Sequence, residues 1–392
     1  MAFDFISSII IVFAAAVAGR FLSKKFKQPV ILGELILGAI VGNILLMIND
    51  SALNINEILE ESVVKDIAYI GIFFLLFTAG LSLNLKEFKK IEMSSSIVAI
   101  LGVIFPFILG YIVAIWFGFS NITALFIGTA LIATSIGVKA EVLLELGMMG
   151  TRLGSLIMGA AVIDDIIGMI MITILISVVK TGHILIWELG FFIFLTVLFF
   201  SIAILLTKEN VSNILDKILL RIKLAKESLL IMGIMIALLF SFIAENIGLS
   251  VIIGAFVAGI VLGQLGFFRG LKDHVSLIGG GFFIPVFFVT VGMTFDFNAF
   301  FRIGEFAAVL LIVAIIGKLV GCGLGAKLTK FDNRESIATG VAMIPRAGIE
   351  LILIRLGLDY KIITPEISSA IVIMVIITTL ITPPALVKVL RK

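Results

Sequence analysis

Thirteen apolar runs of at least 17 residues follow one another along the chain. They lie near 5–22, 30–48, 67–83, 94–117, 122–145, 153–179, 184–206, 228–244, 247–265, 276–295, 303–326, 336–357 and 366–387. A helix needs about 20 apolar residues to cross a bilayer. In lipid only helices and closed barrels satisfy their own backbone polar groups. These runs are continuous rather than alternating, so they predict helices and not barrel strands. Of 392 residues, 61% are hydrophobic and 14% charged, against about half and a quarter in soluble domains. The expectation is an all-α integral membrane protein with thirteen transmembrane helices. A soluble enzyme, a disordered chain and a disulfide scaffold are excluded. The net charge of +3 calls for no nucleic-acid partner. Only two histidines, His183 and His274, occur, so intramembrane proton carriers should be carboxylates or amines.

Basic residues fall in alternate loops. One set of loops carries 21 Lys and Arg and the other five, namely Lys65, Lys180, Arg302, Arg355 and Lys361. Lys139, Lys318 and Arg346 lie inside spans. Cytoplasmic loops carry the excess of positive charge. The split predicts a multi-pass protein of the plasma membrane, with the N-terminus outside and the C-terminus in the cytoplasm.

The chain also repeats itself. Gly33, Gly38 and Gly42 in span 2 share their spacing with Gly254, Gly259 and Gly263 in span 9, 221 residues on. Phe74 to Phe88 resembles Val286 to Phe300, with Thr78 and Gly80 aligned to Thr290 and Gly292 at an offset of 212. Gly128 and Ala130 align with Gly340 and Ala342 at the same offset. Spans 1–6 and 8–13 would then be two six-helix units, with span 7 as a linker helix. Mates are seven spans apart, an odd number, so each copy runs opposite to its mate. Inverted repeats of this kind mark secondary transporters.

Two mated spans carry weak points. Span 5 holds Thr134, Ser135, Gly137, Lys139 and Glu141, and span 12 holds Pro345, Arg346, Ala347 and Gly348. Proline removes a backbone donor, and irregular backbone at membrane depth is tolerated where it is buried or lines a cavity. Two crossed, broken helices near the midplane are expected. Their freed carbonyls are suited to a cation.

Charges inside the spans sharpen this. Asp164 and Asp165 are adjacent in span 6, and Lys318 is deep in span 11. One charge at the bilayer centre costs about 2.5–3.5 kcal/mol on insertion scales, so partners or function must retain them. Neighbouring helical positions point about 100° apart. One aspartate should therefore face Lys318 and the other a solvated cavity. That divergence argues against an intramembrane aspartyl protease, whose two carboxylates must face each other. Arg346 and Glu350 are four apart on one helical face and are expected to staple the broken span. Glu34 suits a helix N-terminus. Lys139, Glu141 and Glu145 approach the cytoplasmic end, where they line either an entry funnel or a solvated rim.

These residues resemble the sodium/proton antiporters of the cation:proton antiporter superfamily, in the electrogenic branch with two adjacent aspartates. The resemblance rests on PVILGELILGAIVG (29–42), FLLFTAGLSLNL (74–85), Thr134-Ser135, Asp164-Asp165, Lys318 and IPRAGIE (344–350). It implies a homodimer in the lipid bilayer that exchanges Na+, and also Li+, for H+. No resident cofactor and no enzymatic activity are implied. Residues 1–93 and 228–300 would form a dimer domain, and 94–180 and 301–392 a core that moves like an elevator. Residues 181–227 would supply the linker helix and a cytoplasmic loop. The resemblance further implies that Asp165 binds the ion, that Asp164 pairs with Lys318, and that oxygens near Thr134 and Ser135 assist. A K+/H+ antiporter and a sodium-coupled organic solute symporter are the alternative readings.

Overall fold

All thirteen apolar runs carry helix, and no strand occurs among the described residues. The computed structural model describes residues 4–26, 28–48, 62–85, 90–181, 186–219, 226–293, 304–346, 353–354, 357–358 and 360–390. The helices are α1 (Asp4–Lys25), α2 (Val30–Ile48), α3 (Ser62–Ser82), α4 (Glu92–Trp116), α5 (Asn121–Ala130), α6 (Ile136–Glu145), α7 (Arg152–Thr181) and α8 (Ile186–Leu206). They continue as α9 (Glu209–Leu219), α10 (Lys226–Ile247), α11 (Val251–Gly263), α12 (Leu271–Ile278), α13 (Ile284–Met293), α14 (Glu305–Leu328), α15 (Asn333–Ala342) and α16 (Pro365–Leu390). Among the described residues, eight helical stretches are long and apolar enough to cross a membrane, and four further apolar helices are shorter. This is a multi-pass helical membrane protein.

The surface is built for lipid. On α4, Ile100, Ile104, Ile108 and Ile112 form an exposed stripe at four-residue spacing. The opposite face of α4 buries Val98, Gly102, Pro106 and Gly110. Water would not tolerate so wide an apolar exterior; hydrocarbon does.

Inside, small residues decide which helices touch. Lipid tails are as apolar as leucine, so close backbone approach replaces the hydrophobic drive. A Cβ on Gly38 of α2 would collide with the Val289 carbonyl of α13 and crowd Gly292, and one on Gly292 would collide with the Leu35 carbonyl. The same contact recurs between α3 and α11, where Gly80 and Gly259 meet backbone to backbone. In the other group of helices, Gly317, Gly321 and Gly325 of α14 press on Pro106, Leu101 and Val98 of α4.

The packing has a regular form. Helix α1 packs on α2 and α10 on α11; α2 packs on α13 and α11 on α3; α4 packs on α5 and α14 on α15; α4 packs on α7 and α14 on α16. Helix α8 touches α10 and α11 on one side and α7 on the other.

Two local features add to the sequence reading. The stretch read as span 10 belongs to one helical stretch, Leu271–Met293, in which a π-helical turn over Gly279–Phe283 lies between α12 and α13. The 207–227 loop contains the short helix α9, whose Asp216 accepts the backbone amides of Gly266 and Phe267 at 2.9 and 3.0 Å.

Candidate ion-binding site

Helix α5 ends at Ala130 and α6 starts at Ile136, leaving residues 131–135 non-helical in mid-run. Helix α15 ends at Ala342, and residues 344–346 are likewise non-helical. The α5 and α15 segments, Asn121–Ala130 and Asn333–Ala342, begin and end 212 residues apart, at the offset seen in the sequence. The breaks touch each other: the Ser135 amide donates to the Pro345 carbonyl at 2.7 Å. Ser135 also supplies the N-cap of α6, its hydroxyl accepting the Val138 amide at 3.4 Å.

Broken ends leave orphan carbonyls, which are costly in an apolar interior. Arg346 answers this. Its Nη1 donates to the Leu131 and Ala133 carbonyls at 2.5 and 3.0 Å, and its Nη2 donates to the Ala314 carbonyl of α14 at 3.2 Å. The guanidinium is fully buried and sits where the C-terminal end of α5 carries partial negative charge. The Arg346 carbonyl in turn accepts the Thr379 hydroxyl of α16 at 2.5 Å. Arg346 thus staples the neighbouring break through backbone oxygens. Glu350, its expected partner, lies outside the described residues, as do Ala347 and Gly348.

The aspartate pair lies beside the breaks. Lys318 Nζ meets Asp164 Oδ1 at 2.7 Å, with both side chains fully buried. The Thr134 hydroxyl donates to the other oxygen, Asp164 Oδ2, at 2.8 Å. Asp164 therefore commits both oxygens, one to α14 and one to the α5–α6 break. Gly102 of α4 leaves the space that Cys322 fills, next to Lys318. Asp165 retains 5% exposure where Asp164 retains none. The more accessible carboxylate is thus the neighbour of the one paired with Lys318, in line with the divergence of adjacent helical positions. Its side chain is nonetheless largely enclosed, so the solvated face expected for it is narrow in this conformation.

Lys139, Glu34 and Arg20 take places that the sequence did not reveal. Lys139 is not on the rim: it is wholly buried, and its Nζ donates to Thr134 Oγ1 at 3.0 Å and to Met343 Sδ at 3.2 Å. Its position inside span 5, five residues past Thr134, was the available signal. Glu34 is also buried and pairs with Arg20 Nε at 2.6 Å. Arg20 Nη2 donates to the Gly280 carbonyl in the π turn at 2.7 Å. Glu145, at the end of α6, accepts the Val30 amide at the start of α2 at 2.8 Å.

Chemically, the arrangement offers two carboxylates, a hydroxyl and interrupted backbone in one water-poor place. That set suits a monovalent cation or protons. Among the described residues there is no cluster of three or more His, Cys, Asp or Glu side chains able to hold a metal ion.

Comparison with known proteins agrees in extent as well as in kind. Residues 10–392 match the family model described as sodium/hydrogen exchanger, transmembrane. The Na(+)/H(+)-K(+) antiporter GerN of Bacillus cereus is 33% identical over 387 residues, covering 98% of this chain and 96% of that protein. The Na(+)/H(+) antiporter of Enterococcus hirae is 33% identical over 389 residues, with 97% and 96% covered. Among solved structures, the sodium proton antiporter MjNhaP1 of Methanocaldococcus jannaschii at pH 8 superposes with a TM-score of 0.65 at 17% identity. The superposition covers 98% of this chain and 96% of that one. With the family model spanning nearly the whole chain and relatives aligned end to end, the protein belongs to the sodium/hydrogen exchanger family.

Proposed function

We propose that the protein is a secondary antiporter that exchanges Na+, and also Li+, for H+ across the plasma membrane. The observation that carries this is the buried chain Lys318–Asp164–Thr134, set in the crossed breaks with Asp165 beside it. Sodium binds Asp165, with Asp164 and oxygens near Thr134 and Ser135 assisting. Engaging Asp164 draws it from Lys318 and strips a buried ammonium of its counter-charge. Such a charge is costly when unpaired, so a proton leaves. Protons loaded on the opposite side expel the ion. Two protons against one sodium move net charge, worth about 2.3 kcal/mol per 100 mV, so the membrane potential drives sodium export.

The architecture we propose has thirteen spans in two inverted six-helix repeats. It is supported by the matched glycine contacts Gly38–Gly292 and Gly80–Gly259 and by the pairwise regularity of the packing. Helices α1–α3 and α10–α13 form the dimer domain of a homodimer. Helices α4–α7 and α14–α16 form a core that moves like an elevator, and α8 links the two. The basic loops face the cytoplasm, with the N-terminus outside.

The test is proton flux in proteoliposomes, with Na+, Li+ or K+ added across a pH series, with and without an imposed voltage. Sodium- and lithium-driven flux that rises with voltage is expected. Flux with K+ alone would favour potassium exchange, a reading that the name of the Bacillus cereus relative keeps open. Uptake of an organic solute indifferent to pH would favour symport. In the same liposomes Lys318→Gln should cut the charge moved per sodium severalfold or abolish it. Unchanged currents would remove Lys318 from the coupling step.

A further inference from the structure

We infer that Lys139 is a tethered cation that competes with the transported ion for the Thr134 oxygen and so sets the site's affinity. The inference rests on the exchange reading above.

The hydroxyl of Thr134 leads to it. A threonine hydroxyl has one hydrogen and two lone pairs. The hydrogen of Thr134 goes to Asp164 Oδ2, and a lone pair takes the Lys139 ammonium at 3.0 Å. A metal ion that uses this oxygen meets a positive charge already seated on it. Asp164, Lys318 and Asp165 all lie within electrostatic range of Lys139. Two carboxylates thus share the interior with two amines. Lys318 offsets one of them, and Lys139 supplies the second positive charge that an arriving cation would otherwise bring.

The other ammonium contact is the Met343 thioether at 3.2 Å, a weak acceptor. Among the described residues the amine is therefore held firmly only at Thr134, and a side chain with four rotatable carbons can swing off that oxygen. A role confined to closing the broken helix fits less well. The α5 carbonyls Leu131 and Ala133 are taken by Arg346, whereas Lys139 is turned toward the hydroxyl that touches Asp164. Lys139 acts here as a fixed charge. At an effective dielectric near 20, unit charges about 5 Å apart change an equilibrium constant by a few hundredfold at most, and solvent and relaxation reduce this.

The experiment compares wild type with Lys139→Met and Lys139→Gln. Two readouts are taken: half-saturating Na+ for proton flux in proteoliposomes, and the Na+ midpoint for thermal stabilisation of the purified protein. Both charge-free variants should show midpoints about tenfold or more below wild type. A midpoint that stays put or rises in either assay overturns the inference. So does failure of both variants to fold, which would assign Lys139 to holding the break together. If wild type shows no sodium-dependent signal at all, the exchange reading falls. Robust wild-type exchange with an unmoved midpoint in the variants overturns only the role of Lys139.

Discussion

Sodium-dependent proton flux should fall about a hundredfold or more in Asp165→Asn, to the level of empty liposomes. The substitution keeps the shape and one oxygen of the side chain but removes its charge. A hydrogen bond to a charged group contributes about 1.5–3 kcal/mol, and the direct attraction of a cation in a low-dielectric site adds to that. Asp164 alone is a poor substitute, because its charge is already offset by Lys318 at 2.7 Å and its other oxygen accepts Thr134 at 2.8 Å. The protein itself should survive, since the change puts a neutral amide where a nearly buried carboxylate stood. The measurement is the sodium-driven pH change in proteoliposomes, alongside the melting temperature of the purified protein. Wild type should also show competition, with half-saturating Na+ rising as protons become more abundant. Flux that persists in Asp165→Asn would show the ion to be bound elsewhere.

Arg346→Met has the opposite signature, a large loss of stability. Methionine fills much of the same volume but donates nothing. The Leu131, Ala133 and Ala314 carbonyls would lose the donors that now reach them. Each unsatisfied buried group costs about 1–3 kcal/mol, and three carbonyls lose their donor at once. Thermal unfolding of the purified variant should therefore begin far below wild type, or no folded protein should be recovered. Arg346→Lys would not repair it, because a point ammonium cannot span carbonyls on two helices as a planar guanidinium does. A melting temperature equal to wild type would mean that the break is held by other contacts.

These two residues illustrate how far the sequence can be read. Asp164 and Lys318 find each other on paper because each is a costly charge in an otherwise apolar run, and opposite charges at one depth have few other solutions. The break at 131–135 is also legible, since polar and small residues interrupt the runs near 122–145 and 336–357 at places 212 residues apart. The partners of Arg346 are not. A helical wheel assigns its nearest companion four residues on, but the chain leaves the helix at Met343, and the side chain reaches across to another helix's backbone. Lys139 is misread for a related reason. The interruption before Ser135 resets the rotation of α6 relative to α5, so periodicity counted from one side says nothing of where the other side points. The π turn at Gly279–Phe283 escapes because three consecutive glycines fit a loop as well as a widened helix, and the contact with Arg20 that distinguishes them is invisible in the chain order.

The glycine contacts carry a mechanical consequence. Where Gly38 lies on Gly292 and Gly80 on Gly259, main chain rests on main chain, and no side chain is present to rearrange. Such joints interlock like meshed teeth and resist shear. Across the seam between α3 and α6 the fit is gentler: the nearest atoms to a Cβ on Gly137 would be side-chain carbons of Ile72 and Leu75, at 3.4 to 3.7 Å. Smooth aliphatic surfaces of that sort slip past one another with little resistance. If one part of this molecule glides while another stays anchored, the stiffness belongs to the toothed joints and the travel to the greased seam.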